Sequence, residues 1–254
     1  MRERIFLLGG YDLEMLTIRR LLEQYNKTFY DKALRWDNAL LSHYTEQLGL
    51  YGNNDAYNIY GIELIEKNVD IPDNYYRIDH HNDYSTKPAS LEQVASLLEV
   101  TLNREQQLIV ANDKGYIPAM IALGANEDEI RKIREADRNA QGVTATDEML
   151  AEKAIQKKQQ IGGVTVVLSE TSRFSPIADR LYPCEQLLIY TKEELIFYGK
   201  GKVRLVELYK KEIEEGKMFH GGGDYGYIGS ARVVFSEIEI SEMKDCIVKQ
   251  INLL

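Results

Sequence analysis

Four apolar residues in a row, Ile5-Phe6-Leu7-Leu8, run directly into Gly9-Gly10, and beyond the glycines Leu13, Met15, Leu16, Ile18, Leu21 and Leu22 share one helical stripe. A run that is apolar throughout reads as a buried strand, and a helix following at once must pack back across the sheet. This succession predicts an α/β chain whose N-terminal part holds a mostly parallel sheet. Met1-Arg2-Glu3-Arg4 gives the run a superficial likeness to a signal peptide, but the run is too short, and Asp12 and Glu14 break it with charge. No apolar run approaches the roughly 18–20 residues of a membrane span, so no membrane partner is expected. Cys184 and Cys246 lack metal or redox spacing, which favours a reducing cytoplasm.

The pattern then alternates. A second βα unit covers Thr28 to Leu50, with Trp36 and Leu40 to Leu48 on a helix, and Gly52-Asn53-Asn54-Asp55 turns the chain into a strand from Tyr57 to Leu64. A strand ending at Ile78 comes next, and Ser90-Leu91-Glu92-Gln93 matches a capping box opening a helix. Arg104 to Ala111 continues as a helix that Gly115 stops. Two charged amphipathic helices, Glu127 to Asn139 and Asp147 to Lys158, come after it, the second capped at Thr144 and running out at Gly162-Gly163. The C-terminal part reads as strand Val164–Leu168, a helix near Pro176–Leu181 and strands Gln186–Tyr190 and Leu195–Tyr198. After these come helix Val203–Glu215, a glycine loop, strand Arg232–Ile240 and a helix near Ser241–Asn252. The expected division is residues 1–143, a linker helix at 144–162 and a smaller mixed-sheet domain at 163–254.

Chemistry concentrates at Asp79-His80-His81, two of the chain's 4 histidines placed where a strand leaves the sheet. In open α/β sheets ligands bind at that edge. Imidazole with carboxylate suits Mn²⁺ or Zn²⁺, although a polar loop with a capping aspartate explains the triplet equally well. Asp12 and Glu14 fall at the start of the first helix, where the dipole favours negative charge, so plain capping is one reading and a carboxylate pair aimed at the ligand edge the other. Asp113 lies near a helix C-terminus, an unfavourable place for a carboxylate unless something positive sits beside it. Phe219-His220-Gly221-Gly222-Gly223-Asp224 is a glycine loop whose amides can form an anion nest, or a plain connector. The net charge of −9 argues against a broad grip on duplex nucleic acid.

Taken together, Asp12-Leu13-Glu14 after a first strand, Asp79-His80-His81, Asp113-Lys114-Gly115-Tyr116 and Gly221-Gly222-Gly223 resemble the DHH phosphoesterase superfamily with its DHH-associated C-terminal domain. The resemblance runs along nearly the whole chain. It implies two α/β domains with the active site between them, and Mn²⁺-dependent hydrolysis of a phosphodiester, with one or two ions and Mg²⁺ or Zn²⁺ as alternatives. Asp12 and Glu14 would each face one metal, Glu63 would bridge, and His80 and Asp113 would complete the second metal's shell. Asp79 would support the imidazoles and His81 would lie near the scissile phosphate, these two being the catalytic pair. His220, Gly221, Gly222, Gly223 and Asp224 would hold the far part of the substrate.

The chain departs from the family at Leu8, where a histidine ligand is usual, and at Glu14 and Glu63, where aspartates are usual. Asp224 also follows the glycines in place of a histidine. These departures leave a catalytically impaired nucleotide- or partner-binding module as the alternative. Expected substrates are a small nucleotide-like phosphoester or a short single-stranded oligonucleotide, and a homodimer is compatible with all of this. Because Asp224 would oppose a doubly charged terminal phosphate, a diester is expected over pyrophosphate.

Overall fold

The computed structural model describes residues 2–35, 38–222 and 226–253. It divides into two compact units, Met1–Gly142 and Val143–Leu254. Trp36, Gly223 and Asp224 lie outside the described residues.

In the first unit β1 (Glu3–Leu8), β2 (Thr28–Asp31), β3 (Tyr57–Ile62) and β4 (Tyr75–Ile78) form an all-parallel sheet in the order β2-β1-β3-β4. Its helices are α1 (Leu13–Gln24), α2 (Thr45–Tyr51), α3 (Ser90–Leu98), α4 (Arg104–Ala122) and α5 (Glu127–Ala140). Ile5, Leu7 and Ile59 point to one face, where Leu41, Tyr44 and Leu48 bury them. Between Leu40 and Leu48 the expected helix begins as a 3-10 turn, Leu41–Tyr44, before α2.

The strand ends are in register: Asp31, Leu8, Ile62 and Ile78 lie side by side across the four strands. The ladder continues one step further, with Gly9 N–H donating to Ile62 O and Glu63 N–H to Ile78 O, both at 2.8 Å. The residue after β3 is therefore Glu63, and the residue after β4 is Asp79.

Gly9 is required by this close approach. A Cβ there would come within 2.7 Å of Ile62 O and 2.9 Å of the Glu63 carbonyl carbon. Both obstacles are backbone and cannot swing aside. Gly9→Ala is accordingly expected to lower stability by about 1–3 kcal/mol, the usual range for overpacking, read as a lower denaturant midpoint with unchanged slope.

The second unit carries a six-stranded mixed sheet in the order β5-β6-β7-β8-β10-β9. Its strands are β5 (Gln159–Ile161), β6 (Val164–Leu168), β7 (Gln186–Tyr190), β8 (Leu195–Gly199), β9 (Met218–Gly221) and β10 (Tyr227–Ser230). Alternate residues face opposite sides: Val166, Leu188 and Phe197 pack under α10 (Glu237–Ile251), while Val167, Leu187 and Ile196 pack under α6 (Ala145–Gln156) and α7 (Ser175–Leu181). The fold is α/β in both units, with a parallel and a mixed sheet respectively. No helix among the described residues is long and apolar enough to cross a membrane.

Several local expectations are corrected. Gly162-Gly163 does not end a helix: α6 stops at Gln156, and the glycines turn the β5–β6 hairpin, Gly162 with φ +61°. The stretch Val203–Glu215 is two short helices, α8 (Lys202–Leu208) and α9 (Lys210–Glu214). The glycine stretch is also a hairpin, with β9 pairing antiparallel to β10. No strand covers Arg232–Ile240, because Ser236 caps α10, accepting from Glu239 N–H while the Glu239 carboxylate accepts from Ser236 N–H.

Candidate metal centre

The functional side chains of the first unit gather beyond the row of strand ends. Asp12 is the N-cap of α1, and its Oδ1 accepts the Met15 N–H at 2.8 Å, so the capping reading of this residue is realised. Capping leaves Glu14 on the first turn, 2 % exposed, with Oε1 held by the Leu91 N–H at 2.9 Å. Glu63 is also buried and sits in the left-handed region at φ +51°, an uncommon place for a residue with a side chain. Its Oε1 accepts from Ser90 Oγ at 2.6 Å.

Sequence reasoning missed Ser90. The helix it opens has Ala89, not Ser90, at the N-cap, and Glu92, not Gln93, closes back on the Ala89 N–H at 2.8 Å. The shift by one residue turns the Ser90 hydroxyl inward, away from the capping role its pattern suggested. The first turn of α3 thus fixes both glutamates, Glu14 through a backbone amide and Glu63 through a hydroxyl.

His80 is the hub. Its Nε2 lies 2.7 Å from Asp113 Oδ2, 3.4 Å from Glu14 Oε2 and 3.6 Å from Glu63 Oε1. The Asp113 contact is short but misdirected, so His80 Nε2, Glu14 Oε2 and Asp113 Oδ2 are all buried without a hydrogen-bond partner. Atoms aimed at a common point rather than at one another are what a cation's ligands look like when seen alone. Two sets of ligand atoms lie within 4.8 Å of one another, Glu14–His80–Asp113 and Glu63–His80–His81. The residues therefore fit a divalent ion: nitrogen and oxygen donors, mostly buried, three to a set.

His81 is more open, its side chain 39 % exposed, with Nδ1 3.4 Å from Asp79 Oδ1 and 3.8 Å from Glu63 Oε1. Asp79 Oδ1 also accepts the His81 N–H at 2.9 Å. Burial alone would raise the Asp79 carboxyl, yet the His81 contacts hold it below the ordinary carboxylate range. Elsewhere burial dominates. It pushes Asp12 up to about 7, with Asp113 and Glu14 adding their charge, and it pushes Glu63 well above its usual value, Glu14 and Asp12 reinforcing the effect. Burial would lower the His80 imidazole, but Asp113 and Glu14 outweigh it and raise the ring to about 10. Displaced proton affinities of this kind gather at functional sites, and in structural ion-pair networks as well.

Asp113 rides on α4 just before a break at Gly115 (φ −163°, ψ 23°) and Tyr116 (φ 58°, ψ −150°). The helix does not stop at Gly115 as expected; it breaks there and resumes through Pro118 to Ala122. His220, Gly221 and Gly222 lie together in the second unit, on β9 and at the start of the hairpin turn, where Gly222 has φ +71°. A Cβ on Gly226, across that turn, would stand 2.5 Å from the Gly222 carbonyl carbon. Leu8, where the resemblance would place a histidine ligand, is completely buried at the end of β1.

The two sheets have the fold of solved structures that include a DHH domain. The fold matches the pGpG-specific phosphodiesterase PggH from Vibrio cholerae at 12 % identity and a TM-score of 0.50, covering 99 % of each chain. It also matches the DHH domain of a member of the s1p family of ribosomal proteins at 12 % identity and a TM-score of 0.53, covering 99 % of this chain and 87 % of that one. No protein-family description and no curated protein matches the sequence itself.

Proposed function

We propose that the protein is a metal-dependent phosphoesterase acting on a small nucleotide-like diester or a short single-stranded oligonucleotide, with Mn²⁺ as its ion. The observation that carries the reading is the convergence of Glu14 Oε2, His80 Nε2 and Asp113 Oδ2, buried and without hydrogen-bond partners. Polar atoms left in that state cost about 1–3 kcal/mol each, and a mixed imidazole–carboxylate set suits a divalent ion. Both candidate sets share His80, and we assign the principal ion to Glu14, His80 and Asp113.

When bound, such an ion lowers the pKa of water towards neutrality and offsets charge on a phosphoryl oxygen. The chain's own groups do the remaining work. Leu91 N–H and Ser90 Oγ hold Glu14 and Glu63 in place, so neither carboxylate must reorient when substrate arrives. His81, with Nδ1 3.4 Å from Asp79 Oδ1, would stand near the scissile phosphate.

Support for a dinucleotide-sized substrate comes from PggH, a pGpG-specific phosphodiesterase of matching fold. The direct test is hydrolysis of pGpG, of a generic aryl phosphodiester and of pyrophosphate, each with Mn²⁺ and with EDTA. Diester cleavage that requires Mn²⁺ and exceeds pyrophosphate cleavage is expected. No cleavage of any of them with Mn²⁺, Mg²⁺ or Zn²⁺ would sink the enzyme reading. Buried Leu8 favours the second reading, a module that binds the nucleotide without turning it over; in that case pGpG binds in the same samples but stays intact.

A further inference from the structure

We propose that Arg134 is a positioning residue for Asp113: it grips α4 before the break and within it, and so sets the direction of the carboxylate that closes on His80. The inference rests on the reading of Asp113 as a metal ligand. A helix end followed by a break is a poor mount for a ligand, since nothing in the helix beyond it resists rotation. Tyr116 makes the difficulty sharper, because φ 58°, ψ −150° is sparsely populated by residues with a side chain and persists only where neighbours hold it.

Arg134, on α5, supplies the hold. Its Nη1 donates to Asn112 Oδ1 at 2.8 Å, immediately before Asp113. Its guanidinium carbon stands 4.4 Å from the centre of the Tyr116 ring, within the break. One planar group thus brackets residue 113 at positions 112 and 116. Arg134 is itself anchored by Asp137 one turn on, at 2.7 Å, and Gln141 Nε2 donates to the same Asp137 oxygen at 3.2 Å. Asn112, Arg134 and Asp137 are 8 %, 7 % and 6 % exposed.

A buried ion pair contributes little net stability compared with apolar residues of the same volume, so stability alone is a weak reason to keep one here. Arginine is suited to the task in a way lysine is not. Its rigid fork bonds in fixed directions and its flat face stacks on a ring, whereas an ammonium group can do only part of this. Neighbours that orient metal ligands typically change metal affinity by about 10–100-fold when lost.

The test is a double-mutant cycle of Arg134→Gln and Asp113→Asn, reading Mn²⁺ affinity and stoichiometry from the electron paramagnetic resonance of free Mn²⁺. Arg134→Gln alone is expected to weaken binding about 10–100-fold. Added to Asp113→Asn, it should weaken binding no further, because its effect passes through that carboxylate. Equal losses in both backgrounds would mark a general structural role and overturn the inference. So would unchanged affinity in Arg134→Gln alongside lost affinity in Asp113→Asn, a result that leaves the ligand assignment standing. Unchanged affinity in Asp113→Asn would overturn the ligand assignment and this inference with it. Should Arg134→Gln fail to fold, Arg134→Lys carries the cycle, since it keeps a cation against Asp137 but lacks the fork and the flat face. It should lose affinity in the same pattern, and wild-type affinity in Arg134→Lys overturns the proposal.

Discussion

Replacing His80 by alanine is expected to remove Mn²⁺ binding and diester hydrolysis together while leaving the sheets of both units formed. His80 belongs to both candidate ligand sets, and its Nε2 is within 3.6 Å of three carboxylates contributed by α1, α4 and the end of β3. A cation in a phosphoryl-transfer site supplies several kcal/mol to the transition state, and at 1.36 kcal/mol per decade the rate should fall by about 10³-fold or more. The imidazole sits beyond β4 rather than in the packed sheet face, so far-ultraviolet circular dichroism should be unchanged. Normal turnover by a correctly folded His80→Ala protein would place the chemistry elsewhere.

The metal-free protein is expected to lose stability as pH rises, and Mn²⁺ to restore it most strongly at the alkaline end. Asp12 moves from an ordinary 3.8 to about 7 on folding, and Glu63 moves in the same direction, both because burial disfavours their charged forms. A carboxyl raised in this way favours the folded state fully only below its unfolded pKa, and that contribution is gone once pH has climbed past the folded one. For Asp12 the window is about 4 to 7. His80, raised from 6.5 to about 10 by Asp113 and Glu14 against the pull of burial, contributes below 6.5 and loses its contribution as pH rises through 10. The effects run in one direction. The change at Asp12 alone corresponds to about 4 kcal/mol, an upper figure because the groups share their protons.

Mn²⁺ competes with those same protons, so its binding releases them and tightens with pH. At a hundredfold excess over the dissociation constant the ion adds about 2.7 kcal/mol. Thermal melts at pH 5.5 and 8.5, with EDTA and with Mn²⁺, should therefore show a lower midpoint at pH 8.5 in EDTA and a larger rise with Mn²⁺ there. A metal-free protein that is more stable at pH 8.5 would contradict the burial of these groups.

Much of the first unit was legible because one strong pattern governed each step. Unbroken apolar residues made β1, the glycines made the tight exit, and the stripe from Leu13 made α1. Asp79-His80-His81 and Asp113 stood out by their place in a motif, Asp113 also by its awkward position near a helix end, and His80 and Asp113 lie 2.7 Å apart. What escaped were arrangements that depend on partners distant in sequence. Ser90 looked like a cap and instead donates to Glu63, 27 positions away, because the helix starts one residue earlier than its pattern suggests. Arg134 and Asp137 belong to a helix legible only as charged and amphipathic, yet both are buried, Arg134 against Asn112 of α4, and charge patterning along one helix carries no information about that. The strand expected over Arg232–Ile240 does not form: Val233 and Val234 are 71 % and 42 % exposed, and the reciprocal Ser236–Glu239 cap was the stronger local signal.

The side-by-side endings of Asp31, Leu8, Ile62 and Ile78 carry a consequence for how the chain can change length. Side chains alternate faces along a strand, so one residue added within Ile59–Ile62 would turn Glu63 to the opposite face, and one added within Tyr75–Ile78 would displace Asp79 and His80 by a step along the sheet. The same residue added between exposed Asp70 and Ile71, at the far end of β4, would lengthen a turn and leave the row untouched. Strand length in this unit therefore behaves as a gauge, and insertions and deletions in functioning versions of the chain should fall at the far edge of the sheet and spare the strands themselves.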